Sequence, residues 1–164
     1  MKKLISFFVF MICVLSLSAQ LKVKSKCNDF YVDVLDGTVN DVRPDYTMGQ
    51  VKDKLPCFSS SDAEGDATAK CGGTVFYKDR DVYFYTDRDY IEIKEKFKGR
   101  LSMPLLGATR KMTVKLLGQP LLKDDTWDAF KSAYGIIMLV YNSAGKVSIV
   151  RLSTKTVDTI KLCE

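Results

Sequence analysis

The chain has 164 residues, with 25 Lys and Arg against 20 Asp and Glu, and no histidine. The net charge of +5, or +3 without Lys2 and Lys3 of the basic start, is too mild to point to nucleic acid, and the missing imidazole excludes Ser-His-Asp and Cys-His catalysis and every histidine metal site. Paired carboxylates, a Ser-Lys dyad or a metal held by oxygen remain, but no spacing favours any of them, so the chain reads as a non-enzyme with no cofactor.

In chain order the first element is a targeting segment. Lys2 and Lys3 form a basic start, Leu4 to Leu17 an apolar run broken by Ser6 and Ser16, and Ser18-Ala19-Gln20 a small-residue cleavage site. The run is shorter than the ~20 residues a spanning helix needs. Cys13 follows Phe10-Met11-Ile12 rather than the small residues of a lipobox. The Ser-Ala-Gln ending resembles signal peptides of Bacteroidetes-type bacteria. Residues 1–19 are read as signal peptide and residues 20–28 as a basic tail carrying Lys22, Lys24 and Lys26. The mature chain is expected to be exported, periplasmic or extracellular, with no stable membrane insertion.

Four cysteines stay in the mature chain: Cys27, Cys57, Cys71 and Cys163. An even number in an exported protein points to disulfides. The expected pairs are Cys57–Cys71, closing a short loop without hydrophobic periodicity, and Cys27–Cys163, tying the termini together. Inside that loop Asp62, Glu64 and Asp66 alternate around Gly65, but no Glu closes the run at calcium-loop distance, so it reads as a solvated acidic loop.

The remaining chain divides into a first unit at 29–95 and a second at 96–164. Phe30 to Val34 alternates as a strand leading into the first. Thr47 with Gln50 three residues on is a capping box, Met48, Val51 and Leu55 make one apolar stripe, and Pro56 stops the helix. A hairpin turning at Lys78-Asp79-Arg80-Asp81 follows, then the strand Tyr90-Ile91-Glu92-Ile93. The second helix starts near Thr109 with Met112 and Leu116 on one face and ends at Gly118 before Pro120. Its hairpin turns over Asn142 to Lys146, and Ile160-Lys161 reads as one more strand. Gly72 aligns with Gly135, Tyr77 with Tyr141, Val82 with Val147 and Ile93-Lys94 with Ile160-Lys161, at an offset that grows slowly as in a duplicated unit with loop insertions. The expected fold class is α+β: two tandem units, each a short helix on an antiparallel sheet of three to four strands, with the sheets continuous.

The second half carries a pattern. A short helix ends in Leu117-Gly118-Gln119-Pro120, then come Trp127 and Phe130, Tyr134-Gly135 entering a strand, and a hairpin closed by Gly145-Lys146-Val147. This resembles the small envelope modules of the SmpA/OmlA type, outer-membrane assembly lipoproteins with helices on a three-stranded antiparallel sheet. Two units in tandem resemble the architecture of β-lactamase-inhibitory proteins. The resemblance implies binding without catalysis and names no target.

The aromatic residues cluster between Phe76 and Tyr90. In the strand Val82 to Thr86, Val82 and Phe84 share one face and Tyr83 and Tyr85 the other. If the first pair packs under the helix, the tyrosines face outward beside Arg80 and Arg88, and Tyr and Arg are enriched where binding energy concentrates. Tyr83, Tyr85, Arg80, Arg88 and Tyr90 are the partner-binding candidates, and Trp127 reads as an anchor over a sheet edge. The function expected is an exported non-catalytic binding protein with a protein partner, an inhibitor or immunity-type module. Envelope assembly and carbohydrate recognition are the alternatives.

Overall fold

The structure is a computed structural model and describes residues 28–65 and 68–163. The signal peptide, the basic tail up to Cys27, and Asp66 lie outside the described residues. The chain is α+β. It forms β1 (Phe30–Asp33), β2 (Thr38–Val39), α1 (Met48–Lys54), β3 (Ser60–Asp62), β4 (Thr74–Tyr77), β5 (Val82–Tyr85), β6 (Tyr90–Lys94), β7 (Gly99–Leu101), α2 (Arg110–Leu117), β8 (Leu122–Lys123), β9 (Trp127–Lys131), β10 (Ile136–Tyr141) and β11 (Val147–Ser153). An eight-stranded antiparallel sheet runs β3-β4-β5-β6-β11-β10-β9-β8, and a three-stranded sheet runs β2-β1-β7. Among the described residues no helix is long and apolar enough to cross a membrane.

Local chemistry sets the first helix. The Thr47 hydroxyl accepts the Gln50 N–H at 3.4 Å and the Gln50 side chain accepts the Thr47 N–H at 2.9 Å, the capping box read from the sequence. Glu64 adds a cap from a distant loop, accepting the Met48 N–H at 2.6 Å, where a carboxylate also suits the helix dipole. Val51 and Leu55 face the core, and the Tyr77 hydroxyl donates to the Leu55 carbonyl at 2.7 Å, tying the helix end to β4.

Alternation decides the sheet's inner face. Val75, Phe84, Ile91, Leu152, Ile137 and Phe130 are cross-strand partners in one row, and all are buried in the core. Each such side chain contributes about 1.5–3 kcal/mol on leaving water. The core lies between this face and α1, Leu105 and the small sheet. In that small sheet β1 pairs in parallel with β7, so the strand expected to lead into the first unit is joined to one from the second half. The backbones meet closely there: a Cβ on Gly99 would come within 2.4 Å of the Phe30 carbonyl oxygen.

Three features differ from the sequence reading. Ile160-Lys161 is not a strand; after β11 the chain turns at Thr156 to Thr159 and runs on without strand pairing. The buried side of α2 is Thr113, with Leu117 packed on the core, whereas Met112 and Leu116 are exposed at 49% and 37%. Cys71 pairs with Cys163 at a Cα separation of 5.3 Å, so neither expected bond, Cys57–Cys71 or Cys27–Cys163, forms. Cys57 is also disulfide-bonded, and its partner lies outside the described residues. The Cys71–Cys163 pair forms because residues 154–163 double back over the outer face of the large sheet and place Cys163 beside the segment that enters β4.

Candidate functional site

The outer face of the eight-stranded sheet collects the candidate residues and sorts them into covered and open ones. Thr74, Tyr85, Tyr90, Ser153 and Ile136 form one row across β4, β5, β6, β11 and β10. The returning C-terminal segment lies over it. Tyr90 is fully buried, and its hydroxyl oxygen accepts the Cys163 N–H at 3.0 Å. Tyr85 is buried too, stacked on Tyr90 with ring centroids 4.4 Å apart. The hydroxyls of both titrate above their ordinary range, chiefly because burial penalises the phenolate.

Arg88 is the clamp of this cover. Its guanidinium donates to the carbonyls of Cys71 (2.9 Å) and Lys70 (3.3 Å) on one side and of Leu162 (3.1 Å) and Lys161 (3.4 Å) on the other. It therefore holds together the two segments that the disulfide joins. Arg80, in the corresponding turn one hairpin earlier, donates to the Lys98 carbonyl at 3.3 Å and lies 6.0 Å from the Phe30 ring centroid. Tyr85, Tyr90 and Arg88 thus belong to one buried assembly, and Arg80 lies apart from it beside the small sheet. Both turns share the sequence Tyr-x-Asp-Arg-Asp, at Tyr77–Asp81 and Tyr85–Asp89, and each ends in a left-handed Asp, with φ of 61° at Asp81 and 52° at Asp89.

The open part of the face begins at Tyr83. It is half-buried, packs edge-on against Phe76 at 5.3 Å, donates from its hydroxyl to Asp81 at 3.0 Å, and carries the Lys94 ammonium 4.6 Å above its ring. Burial first, and the Asp81 carboxylate second, push its hydroxyl up to about 12. From Lys94 a cross-strand row continues through Ile149 and Val140 to Trp127, all half-buried. At the centre Glu92, itself buried, accepts from Arg151 Nε at 2.8 Å and pairs with Lys94 Nζ at 3.1 Å. Arg151 and Glu92 had no sequence signal beyond their outward register; only the pairing of β6 with β11 brings them together.

The opposite face holds a second polar constellation under α2. Asp128 is fully buried on β9; its Oδ2 receives the Tyr141 hydroxyl at 2.9 Å and pairs with Arg110 Nε at 3.0 Å. Thr113 Oγ1 lies 3.0 Å from the same tyrosine oxygen, and the Arg110 guanidinium stands 4.6 Å from the Tyr141 ring centroid. Asp62 and Glu64 are engaged by Thr74 and the Met48 N–H, and among the described residues no group of three or more Cys, Asp or Glu is placed to hold a metal ion.

These environments predict an alkaline limit. Burial raises the hydroxyls of Tyr77, Tyr85, Tyr90 and Tyr141, and that of Tyr83, above the ordinary value of about 10. A raised native pKa adds stability that is fully present below pH ~10 and is lost as pH rises through the native value. Absorbance near 295 nm should therefore show these tyrosines ionising only well above pH 10, together with loss of structure. Complete, reversible ionisation at pH 10 in the folded protein would contradict the packing.

Set against family models, curated proteins and solved structures, the chain matches none of them.

Proposed function

We propose that the protein is an exported, non-catalytic binding module whose outer sheet face docks a protein partner. The observation that carries the reading is the open part of that face: Phe76 and Tyr83 on one cross-strand row, and Lys94 and Ile149 on the next, lie half-buried on paired strands. Aromatic and aliphatic area rimmed by a few charges, fixed on a sheet, is the composition of the centre of a protein interface. Tyr85, Tyr90 and Arg88 serve that face from beneath the C-terminal cover rather than by direct contact.

Export is supported by the Cys71–Cys163 disulfide, since such bonds persist in oxidising compartments. A periplasmic or extracellular location follows from the same reading. We also read the chain as two tandem units, as the likeness to SmpA/OmlA-type modules and β-lactamase-inhibitory proteins implies. Each helix is followed by four strands of the large sheet, and the last strands of the two runs, β6 and β11, pair with each other. An inhibitor or immunity-type role suits a face of aromatic and aliphatic side chains fixed on paired strands.

The test is affinity capture from envelope and culture extracts with the oxidised mature protein and with Phe76→Ala/Tyr83→Ala, after thermal melting confirms that the variant folds. One protein should be retained by the wild type and weakened at least tenfold, the order of a central aromatic contact, by the variant. Equal retention by both would remove the outer face from the binding site.

A further inference from the structure

We propose that the cleft between the outer sheet face and the returning C-terminal segment is a binding site for a linear aliphatic carboxylate. The cleft has a volume of about 520 Å³, within the range of roughly 300–1,000 Å³ typical of small-molecule sites. Its floor is Trp127, Met138 and Val140 from β9 and β10, and its roof includes Ile160 and Leu162 from the C-terminal segment. Such walls suit an unbranched hydrocarbon chain.

One charged side chain reaches this apolar space. Arg151 lines the cleft, and its Nη1 lies 4.0 Å from the Met138 sulfur, so one edge of the guanidinium is turned to the cleft wall while Nε engages Glu92 at 2.8 Å. Glu92 is shared with Lys94 at 3.1 Å. Lys94, whose side chain is 39% exposed, shares Glu92, so Arg151 keeps part of its positive charge at the end of the apolar slot, with Nη1 facing a thioether, a weak acceptor. A carboxylate headgroup balances that charge and matches the planar guanidinium fork, where an alcohol or a cationic head would not.

The roof gives the site a further property. It is held by Cys163 bonded to Cys71, by Arg88 on the Leu162 carbonyl at 3.1 Å, and by Lys155 on Asp89 at 2.7 Å. Breaking the disulfide frees the chain end beside Leu162, so the site is complete only in the oxidised protein.

Trp127 is the chain's only tryptophan and lines the cleft, so its emission reports this site alone. Titration of the oxidised mature protein with decanoate should give a saturable change in Trp127 emission, with decanol and decyltrimethylammonium at least tenfold weaker. Arg151→Gln should weaken decanoate about tenfold, the size of a lost charge-assisted hydrogen bond. Ile160→Ala, which leaves the Glu92 cluster intact, should weaken it about fivefold through lost apolar contact. Reduction should weaken it as well. No saturable response, equal binding of decanol, or decanoate binding unchanged in both variants would overturn the proposal. None of these results bears on docking at Phe76 and Tyr83, which the capture experiment tests separately.

Discussion

Replacing Cys71 and Cys163 together by serine should destabilise the protein by about 4–5 kcal/mol. The bond spans a sequence separation of 92 residues, and in the chain-entropy model a cross-link of that length removes about this much freedom from the unfolded chain. The structure adds a local loss. The C-terminal segment covers Tyr90, which is fully buried, and Tyr85, and without the bond that cover rests on weaker contacts such as those of Arg88, Lys155 and the Cys163 N–H. Urea unfolding of the wild type and the double variant, with tyrosine absorbance as a second probe, measures both effects. The midpoint should fall sharply, and Tyr85 and Tyr90 should ionise at lower pH as their burial is relieved. A loss under 1 kcal/mol would mean that the clamp alone positions the segment.

Arg110→Ala should cost about 3 kcal/mol, the low end of the penalty for stranding a buried charge, because Asp128 is fully buried while Arg110 is 31% exposed. Asp128 has no exposed surface, its Oδ1 has no hydrogen-bond partner among the described residues, and its Oδ2 is served by Arg110 and the Tyr141 hydroxyl. Removing the guanidinium leaves a buried carboxylate held by one neutral donor. It also releases α2 from the segment before β9, because Arg110 Nη2 donates to the Asp124 carbonyl at 2.6 Å. The companion Arg110→Ala/Asp128→Asn removes both charges and keeps an acceptor for Tyr141, so it should recover at least half of the loss. If the double variant is no more stable than Arg110→Ala, the cost lies in helix docking and not in the stranded charge.

The sequence was most legible where a short-range signal has one structural meaning. Thr47 and Gln50 form their capping box, and the Val82/Tyr83/Phe84/Tyr85 alternation sends Val82 and Phe84 to the core and the tyrosines to the other face. It was least legible where the outcome rests on long-range pairing. Aligning Gly72 with Gly135 and Tyr77 with Tyr141 sets β4, second of its run in the sheet, against β10, third of the other run. Period-two hairpins resemble one another at any such shift. The two-residue β8, too short for any periodicity, left no trace in that alignment.

The same limit explains the disulfide and the candidate site. Loop length favours a local Cys57–Cys71 bond, whereas the returning chain brings Cys163 to Cys71. Ile160-Lys161 reads as a strand because it aligns with Ile93-Lys94, yet Ile160 and Leu162 line the cleft as its roof. That cover turns Tyr85 and Tyr90, expected to be outward and exposed, into buried residues. The paired motif Tyr-x-Asp-Arg-Asp was the available signal for two equivalent turns. It could not show that Arg88 meets the chain end while Arg80 meets Lys98.

The most direct test of the central claim is hydroxyl-radical footprinting of the complex obtained by capture, compared with the free oxidised protein. Binding through the outer face predicts that Phe76, Tyr83 and Ile149 lose reactivity in the complex, while Met112 and Leu116 on the exposed side of α2 keep theirs. Protection of Met112 and Leu116 with Phe76 and Tyr83 unchanged would contradict it and move the binding surface to the helix.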